Sequence, residues 1–470
     1  MEGQALFLIR VVEAAVPFVR MLAMSRLLPL RELGFASALT ATYATFEAVT
    51  DFAIYRFVFS TPRKDFDHAL ASAHGLSFLR GLAAGLLAVA ASPLIAEAFS
   101  LRAEWGSFAA IGGIIVIRSL EHLGPRVAER DYRRPVQGEP DRQWARAGRA
   151  GGGFDGRAEL LRGHRVAVWP DGRSGRGEPR IGGDALPDEV PHAAFHAGRF
   201  GYPLMFNGMG LAASSQGDRF VVGAMLGLPT LGVYAVATLV AAVPLSMIGR
   251  VTATVVLAAL YNASRATDNS YLARVRLTAR VIPLVGASFA LAVLTLMNII
   301  VPIVFGRQFL LSRAAVALLA LATFVKLARG DPMTSMLLHE GRTRRLAIAN
   351  LTSASAVPLQ IVLIFLFGSL EAALLGRLLG EIVAMTVVLH LARKQLREAW
   401  RDQAVAMGVG LAALAGAILV GLAAPVGVRA APSLALLFAC LAAFGVWAAR
   451  FAPPLLRAAF PGQNPFAGLT

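Results

Sequence analysis

The sequence predicts an all-α polytopic membrane protein. Of its 470 residues, 56% are hydrophobic and 16% are charged, and the mean hydropathy is +0.61. A soluble domain has about 45–50% apolar and about 25% charged residues. Twelve stretches each supply roughly the 20 apolar residues that a helix needs to cross a bilayer. This composition excludes a soluble globular chain, a disordered chain and a small secreted scaffold.

The predicted spans follow one another along the chain with short connections, except between the fourth and fifth. The first span is not a signal peptide, because Arg10, Glu13 and Arg20 interrupt its apolar stretch and no cleavage site of small residues follows. The twelve spans are 5–25, 35–59, 72–98, 105–124, 201–226, 229–257, 279–305, 309–328, 344–368, 370–392, 403–424 and 431–450.

The net charge of +16 reflects arginines and lysines in alternate loops. Basic loops follow the second, fourth, sixth, eighth and tenth spans, and Arg26 and Arg31 in the first loop are the main exceptions. The positive-inside rule therefore places both termini in the cytoplasm and favours membrane topology over nucleic-acid binding as the origin of the charge.

Residues 133–199 depart from this pattern. They contain twelve Arg, no Lys, thirteen Gly and six Pro, and no apolar run long enough to span a membrane. Such a composition buries too little apolar surface to offset chain entropy, which predicts disorder. Three interpretations remain open: a flexible cytoplasmic loop, a basic arm that binds acidic lipid or nucleic acid, and a stretch translated in the wrong reading frame. We favour the third.

An internal repeat supports replacement of two helices rather than insertion of a loop. A shift of 198 residues aligns 25–39 with 223–237, with four identical residues in fifteen. The plan that follows has fourteen helices. It comprises a lobe in 1–132 with helices 1–4, the anomalous 133–199 in place of helices 5 and 6, a lobe in 200–394 with helices 7–12, and a C-terminal helix pair and tail in 395–470. Duplicated six-helix lobes are typical of secondary transporters.

Several short motifs resemble bacterial polysaccharide exporters. The segment Ser25-Arg26-Leu27-Leu28 with Leu33-Gly34-Phe35-Ala36 resembles their first hairpin. Thr50-Asp51-Phe52-Ala53-Ile54 resembles the end of their second helix, and His122-Leu123-Gly124-Pro125 with Arg130-Asp131-Tyr132-Arg133 resembles the segment after their fourth. The longest motif, Gln216-Gly217-Asp218-Arg219-Phe220-Val221-Val222-Gly223 with Leu231-Gly232-Val233-Tyr234-Ala235, resembles the seventh helix of Wzx-like O-antigen flippases in the multidrug/oligosaccharidyl-lipid/polysaccharide superfamily.

The resemblance implies a transporter that moves a lipid-linked oligosaccharide across the bacterial inner membrane. In that family two lobes rock around a central cavity, an ion gradient supplies the energy, and no nucleotide or other cofactor is bound. Expected partners are the lipid-linked substrate and the bilayer, with a polysaccharide polymerase and a chain-length regulator, and no nucleic acid. If helices 5 and 6 are absent, part of one lobe is missing.

Charged residues at bilayer depth cost about 2.5–3.5 kcal/mol each on insertion scales, so they tend to line a cavity or form pairs. Guanidinium groups bind phosphate through paired hydrogen bonds. We therefore predict a cationic substrate cavity formed by Arg20, Arg118, Arg219 and Arg250. The alternative is that these arginines extend to lipid headgroups or pair with a neighbouring carboxylate.

Carboxylates in the spans are candidates for ion coupling. Glu47 and Asp51 lie four residues apart on one predicted helix, where like charges repel and favour protonation of one of them. Asp218 lies in the longest family motif, and Arg377 and Glu381 form a predicted i, i+4 pair. The ion-coupling candidates are Glu47, Asp51 and Asp218.

The remaining signals argue against an enzyme and against a metal protein. The single Cys440 excludes a disulfide framework, and the eight histidines form no helical metal-binding pair. The sequence has no phosphate-binding loop and no nucleophile elbow. Two alternatives to the flippase stay open, namely a multidrug cation antiporter of the same superfamily and an inactive product of a disrupted flippase gene.

Overall fold

The computed structural model describes residues 16–50, 66–121, 209–210, 212–242, 245, 270–330, 343–392 and 399–423. These residues are almost entirely helical, and none of them forms a strand. The predicted all-α fold is therefore confirmed for the described part of the chain. Residues 133–199, Asp51, Arg250 and the predicted span 431–450 lie outside the described residues.

Four helices are described before residue 122, and we refer to them as the N-half. They are α1 (16–27), α2 (Leu30–Val49), α3 (Phe66–Ala98) and α4 (Trp105–Glu121). A short 3₁₀ turn, Arg102–Glu104, joins α3 to α4. Helix α4 packs along α3 and also contacts α2.

The C-half consists of the seven helices that the structure describes between residues 212 and 392. They are α5 (212–226), α6 (Leu228–Ala242), α7 (Ser270–Val304), α8 (Arg313–Gly330), α9 (Thr343–Thr352), α10 (Ala356–Phe367) and α11 (Leu370–Ala392). Helix α11 packs against α8, α9 and α10, and a further helix, α12 (Ala399–Ala423), packs against α7. Helix α11 is thus central to the C-half.

Six helices of the described chain are long and apolar enough to cross a membrane: Gly75–Ala98, Arg102–Leu120, Val275–Val304, Ala347–Phe367, Leu370–Leu391 and Ala399–Leu419. The apolar helix Leu228–Ala242 is shorter. Many leucine, valine and phenylalanine side chains on these helices are exposed, including Leu86, Phe365 and Leu419. An apolar exterior is expected where lipid replaces water as the surrounding solvent.

The predicted span 344–368 is interrupted. A 3₁₀ turn at Ser353–Ser355 separates α9 from α10. Pro358 has no N–H to donate to the carbonyl of Ala354, so a continuous α-helix would lose a hydrogen bond at this point. The sequence-based boundary missed the break because hydropathy does not report backbone hydrogen bonding.

The hairpins α1–α2 and α5–α6 meet in a reciprocal contact. A Cβ atom on Gly34 would lie 1.9 Å from the carbonyl oxygen of Leu228, and one on Gly232 would lie 2.6 Å from the carbonyl oxygen of Leu30. The 198-residue shift aligns Gly34 with Gly232 and Leu30 with Leu228. Each helix therefore presents the same pair of positions to the other, as in an isologous interface with a local two-fold axis.

The correspondence continues into the next two helices of each half. Phe99 directly follows α3 and Phe305 directly follows α7, and each precedes a residue with positive φ and then a 3₁₀ turn. The offset between these phenylalanines is 206 residues. Gly81 of α3 faces Ser119 of α4, and Gly286 of α7 faces Leu327 of α8. The ends of α3 and α7 thus correspond, while Gly81 and Gly286 are 205 residues apart and Ser119 and Leu327 are 208 residues apart.

Candidate functional site

A buried triad of polar side chains joins three helices of the C-half. Tyr234 donates its hydroxyl hydrogen to Asp218 Oδ2 at 2.5 Å, and Arg377 Nη1 donates to the same carboxylate oxygen at 2.7 Å and to the Tyr234 hydroxyl at 2.8 Å. The side chains of Asp218 and Arg377 are 7% and 14% exposed. We call these three residues, from α5, α6 and α11, the C-half triad.

Asp218 is fully engaged in this triad. Its second oxygen, Oδ1, accepts a hydrogen bond from the backbone N–H of Arg219 at 2.8 Å. Because a guanidinium group already neutralises the carboxylate, the predicted ion-coupling role of Asp218 would require Arg377 to move away. That role stays a prediction.

A second buried ion pair lies one helical turn further along α11. Glu381 Oε2 is 3.1 Å from Arg329 Nη2 of α8, and the two side chains are 5% and 8% exposed. Glu381 Oε2 and Arg329 Nε have no hydrogen-bond partner among the described residues. The predicted i, i+4 pairing of Arg377 with Glu381 is wrong, because each residue pairs with a different helix.

Lys326 of α8 is partly buried. The charged groups that act on it electrostatically include Glu381, Arg377, Arg329 and Asp218. No carboxylate of the described residues lies within ion-pair distance of its ammonium group. We call Lys326, Arg329 and Glu381, together with the C-half triad, the C-half cluster.

The N-half carries a triad of the same three chemical groups. Arg118 Nη2 of α4 lies 3.3 Å from Glu47 Oε1 of α2, and Arg118 also hydrogen-bonds to the hydroxyl of Tyr43. The guanidinium carbon lies 5.5 Å from the centre of the Tyr43 ring, within range of a cation–π interaction. Arg118 and Glu47 are 49% and 38% exposed, so this N-half triad is open.

A shallow cavity adjoins the N-half triad. It is also lined by Thr50, Arg80 and Ser119. Among the described residues of its wall are the guanidinium groups of Arg80 and Arg118 and the carboxylate of Glu47. Guanidinium groups donate paired hydrogen bonds to phosphate or carboxylate, so an anion is the kind of ligand that such side chains bind.

The structure brings only some of the predicted site residues together. The substrate-binding candidate Arg118 and the ion-coupling candidate Glu47 form one ion pair. Arg20 is exposed on α1, whereas Arg219 is half-buried and its Nη1 donates to Gln216 Oε1 at 3.3 Å. Asp51 and Arg250 lie outside the described residues. A cavity shared by all four predicted arginines therefore stays a prediction.

Four residues of the two triads and the C-half cluster were not predicted as site residues from the sequence: Tyr43, Tyr234, Lys326 and Arg329. Lys326 and Arg329 lie three residues apart at the end of an apolar run, and two cations so placed were a detectable signal. Tyr234 lies in the longest family motif, which was its signal, whereas Tyr43 had none, because an aromatic residue in a span is usually part of the apolar packing. In the described ranges, no group of three or more His, Cys, Asp or Glu side chains is placed to hold a metal ion.

Comparison with known proteins gives one family. Residues 192–314 match the model of a family described as "Polysaccharide biosynthesis protein". The match covers α5, α6 and α7, which supply Asp218, Tyr234 and the C-half side of the reciprocal contact. It begins close to Phe200, where the predicted spans resume after the anomalous segment. No curated protein and no solved structure matches the chain.

Proposed function

We propose that the protein is a transporter, not an enzyme, and that it flips or exports a lipid-linked oligosaccharide or polysaccharide by alternating access. The family match supports polysaccharide biosynthesis, and the apolar helices support a multi-pass membrane location. We further propose the Wzx-like type within the multidrug/oligosaccharidyl-lipid/polysaccharide superfamily. The bacterial inner membrane with both termini in the cytoplasm is part of the same proposal.

The observation that carries this proposal is the reciprocal contact of the two hairpins. Repeat-related halves that meet at a local two-fold axis are the arrangement in which one half can rock against the other around a fixed site. Gly34 and Gly232 permit the backbones of α2 and α6 to touch. In this conformation the halves are therefore closed at the end where the α1–α2 and α5–α6 turns lie, which we call the hairpin end.

Two further contacts hold the N-half to α7 near this end. Arg26 donates from Nε to the Val304 carbonyl at 2.9 Å and from Nη2 to the Ile303 carbonyl at 2.7 Å. The rings of Phe18 and Phe305 pack edge to face with their centres 5.5 Å apart. Arg26 was an exception to the positive-inside pattern. Its position is explained by the hydrogen bonds that it donates to the last carbonyl groups of α7.

Substrate recognition is proposed to use positive charge. A lipid-linked glycan carries a phosphate or diphosphate between lipid and sugar, and a guanidinium group such as that of Arg118 binds phosphate through paired hydrogen bonds. Arg20, Arg219 and Arg250 complete the proposed passage. The proposed protein partners are a polysaccharide polymerase and a chain-length regulator, with no nucleic acid.

A reversible lock at the hairpin end tests the proposal. Cys440 is first replaced by Ser, and Phe18 and Phe305 are then both changed to Cys and joined with a short, reducible thiol cross-linker. Cross-linking should stop glycan export in cells that lack their own flippase, and reduction should restore it. The single variants Phe18→Cys and Phe305→Cys, treated in the same way, control for modification alone.

The outcomes separate the proposal from its competitors. Export that continues in the fully cross-linked protein would overturn alternating access at this end. If the protein without the cross-link exports no glycan and instead mediates cation efflux, the multidrug antiporter is supported.

A second candidate is the inactive product of a disrupted flippase gene. Subtracting the 206-residue offset places the N-half counterparts of Thr343–Ala392 at about residues 137–186, which fall within the Arg-, Gly- and Pro-rich 133–199. By the repeat, helices corresponding to α9, α10 and α11 are thus expected where this composition stands. Translating the coding DNA of this stretch in the other two frames tests it: two apolar runs would support disruption, and none would eliminate it.

A further inference from the structure

Helices α3 and α7 are each followed directly by a buried phenylalanine. Phe99 is 3% exposed and Phe305 is 1% exposed. Each of them precedes a residue with positive φ, Ser100 or Gly306, at which the chain turns away from the helix axis. The two corresponding helix ends thus each hold an aromatic side chain that other parts of the protein enclose.

Phe99 belongs to the N-half but packs into the C-half. Its ring centre lies 5.5 Å from that of Phe220 of α5 and 5.9 Å from that of Phe108 of α4, on which it stacks. A Cβ atom on Gly223 of α5 would lie 2.4 Å from Phe99 Cε1 and 2.9 Å from Cδ2 of Leu231 of α6. The ring therefore fills a notch between Gly223 and Leu231, close to the α5–α6 turn, and a side chain at position 223 would displace it.

Phe305 makes the reverse contact, from the C-half to the N-half. It packs edge to face on Phe18 of α1, with the ring centres 5.5 Å apart. The 198-residue shift places the counterpart of Phe18 at Gln216, one helical turn before Phe220. Each half thus packs the aromatic residue at the end of one helix against the first helix of the other half's hairpin, α5 or α1.

Both ring contacts cross the boundary between the halves. If one half moves as a rigid body, the same movement takes both rings away from their partners. The local two-fold axis between Gly34 and Gly232 relates the two contacts, so their geometry changes together. Packed interfaces switch between discrete arrangements instead of deforming continuously. Loss of one contact therefore weakens the closed arrangement at the other.

We propose that Phe99 and Phe305 are paired aromatic latches that hold the hairpin end closed and release together. Each ring stabilises the closed arrangement through the apolar area that it buries and through its contact with another ring. The inference rests on the proposed function for the expectation that the hairpin end opens, and it assigns the closure to two exchanged side chains. With both termini in the cytoplasm, as proposed, this end faces the periplasm.

A thiol reporter in the notch that Phe99 fills tests whether the two latches are coupled. In the full-length protein Cys440 is replaced by Ser and Leu231 by Cys, and the protein in detergent is treated with a water-soluble maleimide. Phe305→Ala then removes the other latch and leaves Phe99 unchanged. The labelling rate of Leu231→Cys should rise about tenfold, which corresponds to about 1.4 kcal/mol.

Phe324→Ala is the matched control for Phe305→Ala. The Phe324 ring is fully buried inside the C-half, where it faces Gly286 of α7 and Gly410 of α12. Its removal should loosen the packing of the C-half to a similar degree without changing a contact to the N-half. The labelling rate of Leu231→Cys should therefore stay the same. Unchanged labelling with Phe305→Ala, or an equal rise with Phe324→Ala, would overturn the proposal.

A second variant keeps the test decisive if Leu231→Cys does not fold. Gly223→Val fills the notch and displaces Phe99, and the reporter is then the rate at which the thiol cross-linker joins Phe18→Cys to Phe305→Cys. This rate should fall about tenfold relative to the same cysteine pair with Gly223 intact.

Gly113→Val is the control for this second variant, because no atom lies within 4 Å of a Cβ built at Gly113. Equal cross-linking rates in the two valine variants would equally overturn the proposal. Neither the labelling nor the cross-linking readout needs a substrate. Coupled latches in a protein that exports no glycan would therefore count against the proposed function and not against this inference.

Discussion

The two triads place the same three groups in different surroundings. In the N-half triad of Tyr43, Glu47 and Arg118, the ion-paired side chains of Glu47 and Arg118 are 38% and 49% exposed. In the C-half triad of Tyr234, Asp218 and Arg377, the ion-paired side chains of Asp218 and Arg377 are 7% and 14% exposed. The difference comes from α11, which supplies Arg377 itself and packs against α8, α9 and α10.

This comparison shows that burial, rather than residue type, decides what a charged triad contributes. An exposed ion pair contributes about 0–1 kcal/mol, because water solvates the separated groups almost as well. Removing one member of a buried pair costs about 3–5 kcal/mol, because the remaining charge has no solvent. The corresponding N-half wall falls, by the repeat, in residues outside the described part of the chain.

The largest expected effect is in the C-half triad. Asp218→Asn should destabilise the protein by about 3–5 kcal/mol, because Arg377 is left as an unpaired buried cation. Glu47→Gln in the N-half triad should cost only about 0–1 kcal/mol. The free energy of unfolding in detergent measures both, and equal costs would mean that the two sites do not differ in effective burial.

The reciprocal helix contact should show the next largest effect. Gly34→Ala places a Cβ against the backbone of Leu228, so α2 and α6 must separate, at a cost of about 1–3 kcal/mol. Gly113→Ala is the matched control, because no atom lies within 4 Å of a Cβ built there. In a helix interior that change should stabilise by about 0.5–1 kcal/mol. Chemical unfolding of both variants should show a lower free energy of unfolding for Gly34→Ala and a higher one for Gly113→Ala. Equal changes in the two variants would contradict the close helix contact.

Removal of the tyrosine hydroxyls compares the triads a second time. Tyr234→Phe should cost about 1–3 kcal/mol, because Asp218 and Arg377 each lose a buried hydrogen-bond partner. At the exposed N-half triad, water can replace the hydroxyl of Tyr43, so Tyr43→Phe should change the free energy of unfolding by less than about 1 kcal/mol. The same unfolding assay serves, and a larger loss from Tyr43→Phe would reverse our interpretation of burial.

The smallest expected effect concerns an asymmetry at the hairpin end. Arg26 caps the last carbonyls of α7, whereas the position 198 residues later is Ala224, which has no donor to offer. Arg26→Gln should cost about 0.3–1 kcal/mol, in the range of a cation at a helix C-terminus. Arg31→Gln is the control, since Arg31 pairs with the neighbouring Glu32 on an exposed surface. Thermal unfolding of both variants should rank them in that order, and an equal loss would indicate that the cap contributes nothing specific.

Much of the fold was predictable because it depends on local composition. Apolar runs long enough to cross a bilayer predicted the helices. The alignment of Gly34 with Gly232 predicted a repeat, and in the structure these two glycines lie where α2 and α6 cross. The break at Ser353–Ser355 was missed, since the apolar run continues through it while the backbone hydrogen bonding does not.

The partners of the charged residues were less predictable. The i, i+4 spacing suggested that Arg377 pairs with Glu381. Instead Arg377 donates a hydrogen bond to Asp218, 159 residues away, and Glu381 forms an ion pair with Arg329 of α8. Spacing along one helix shows which residues share a face, but it does not show which neighbouring helix that face meets.

The sequence by itself determined that this chain is helical, that its helices are apolar enough for a membrane, and that two hairpins repeat. Hydropathy and local similarity are properties of consecutive residues, so they need no knowledge of the fold. Only the tertiary structure decided that one Tyr–carboxylate–Arg triad is open and the other closed. It also decided that an arginine of another helix neutralises each of Asp218 and Glu381, because burial and charge pairing arise when distant helices pack together.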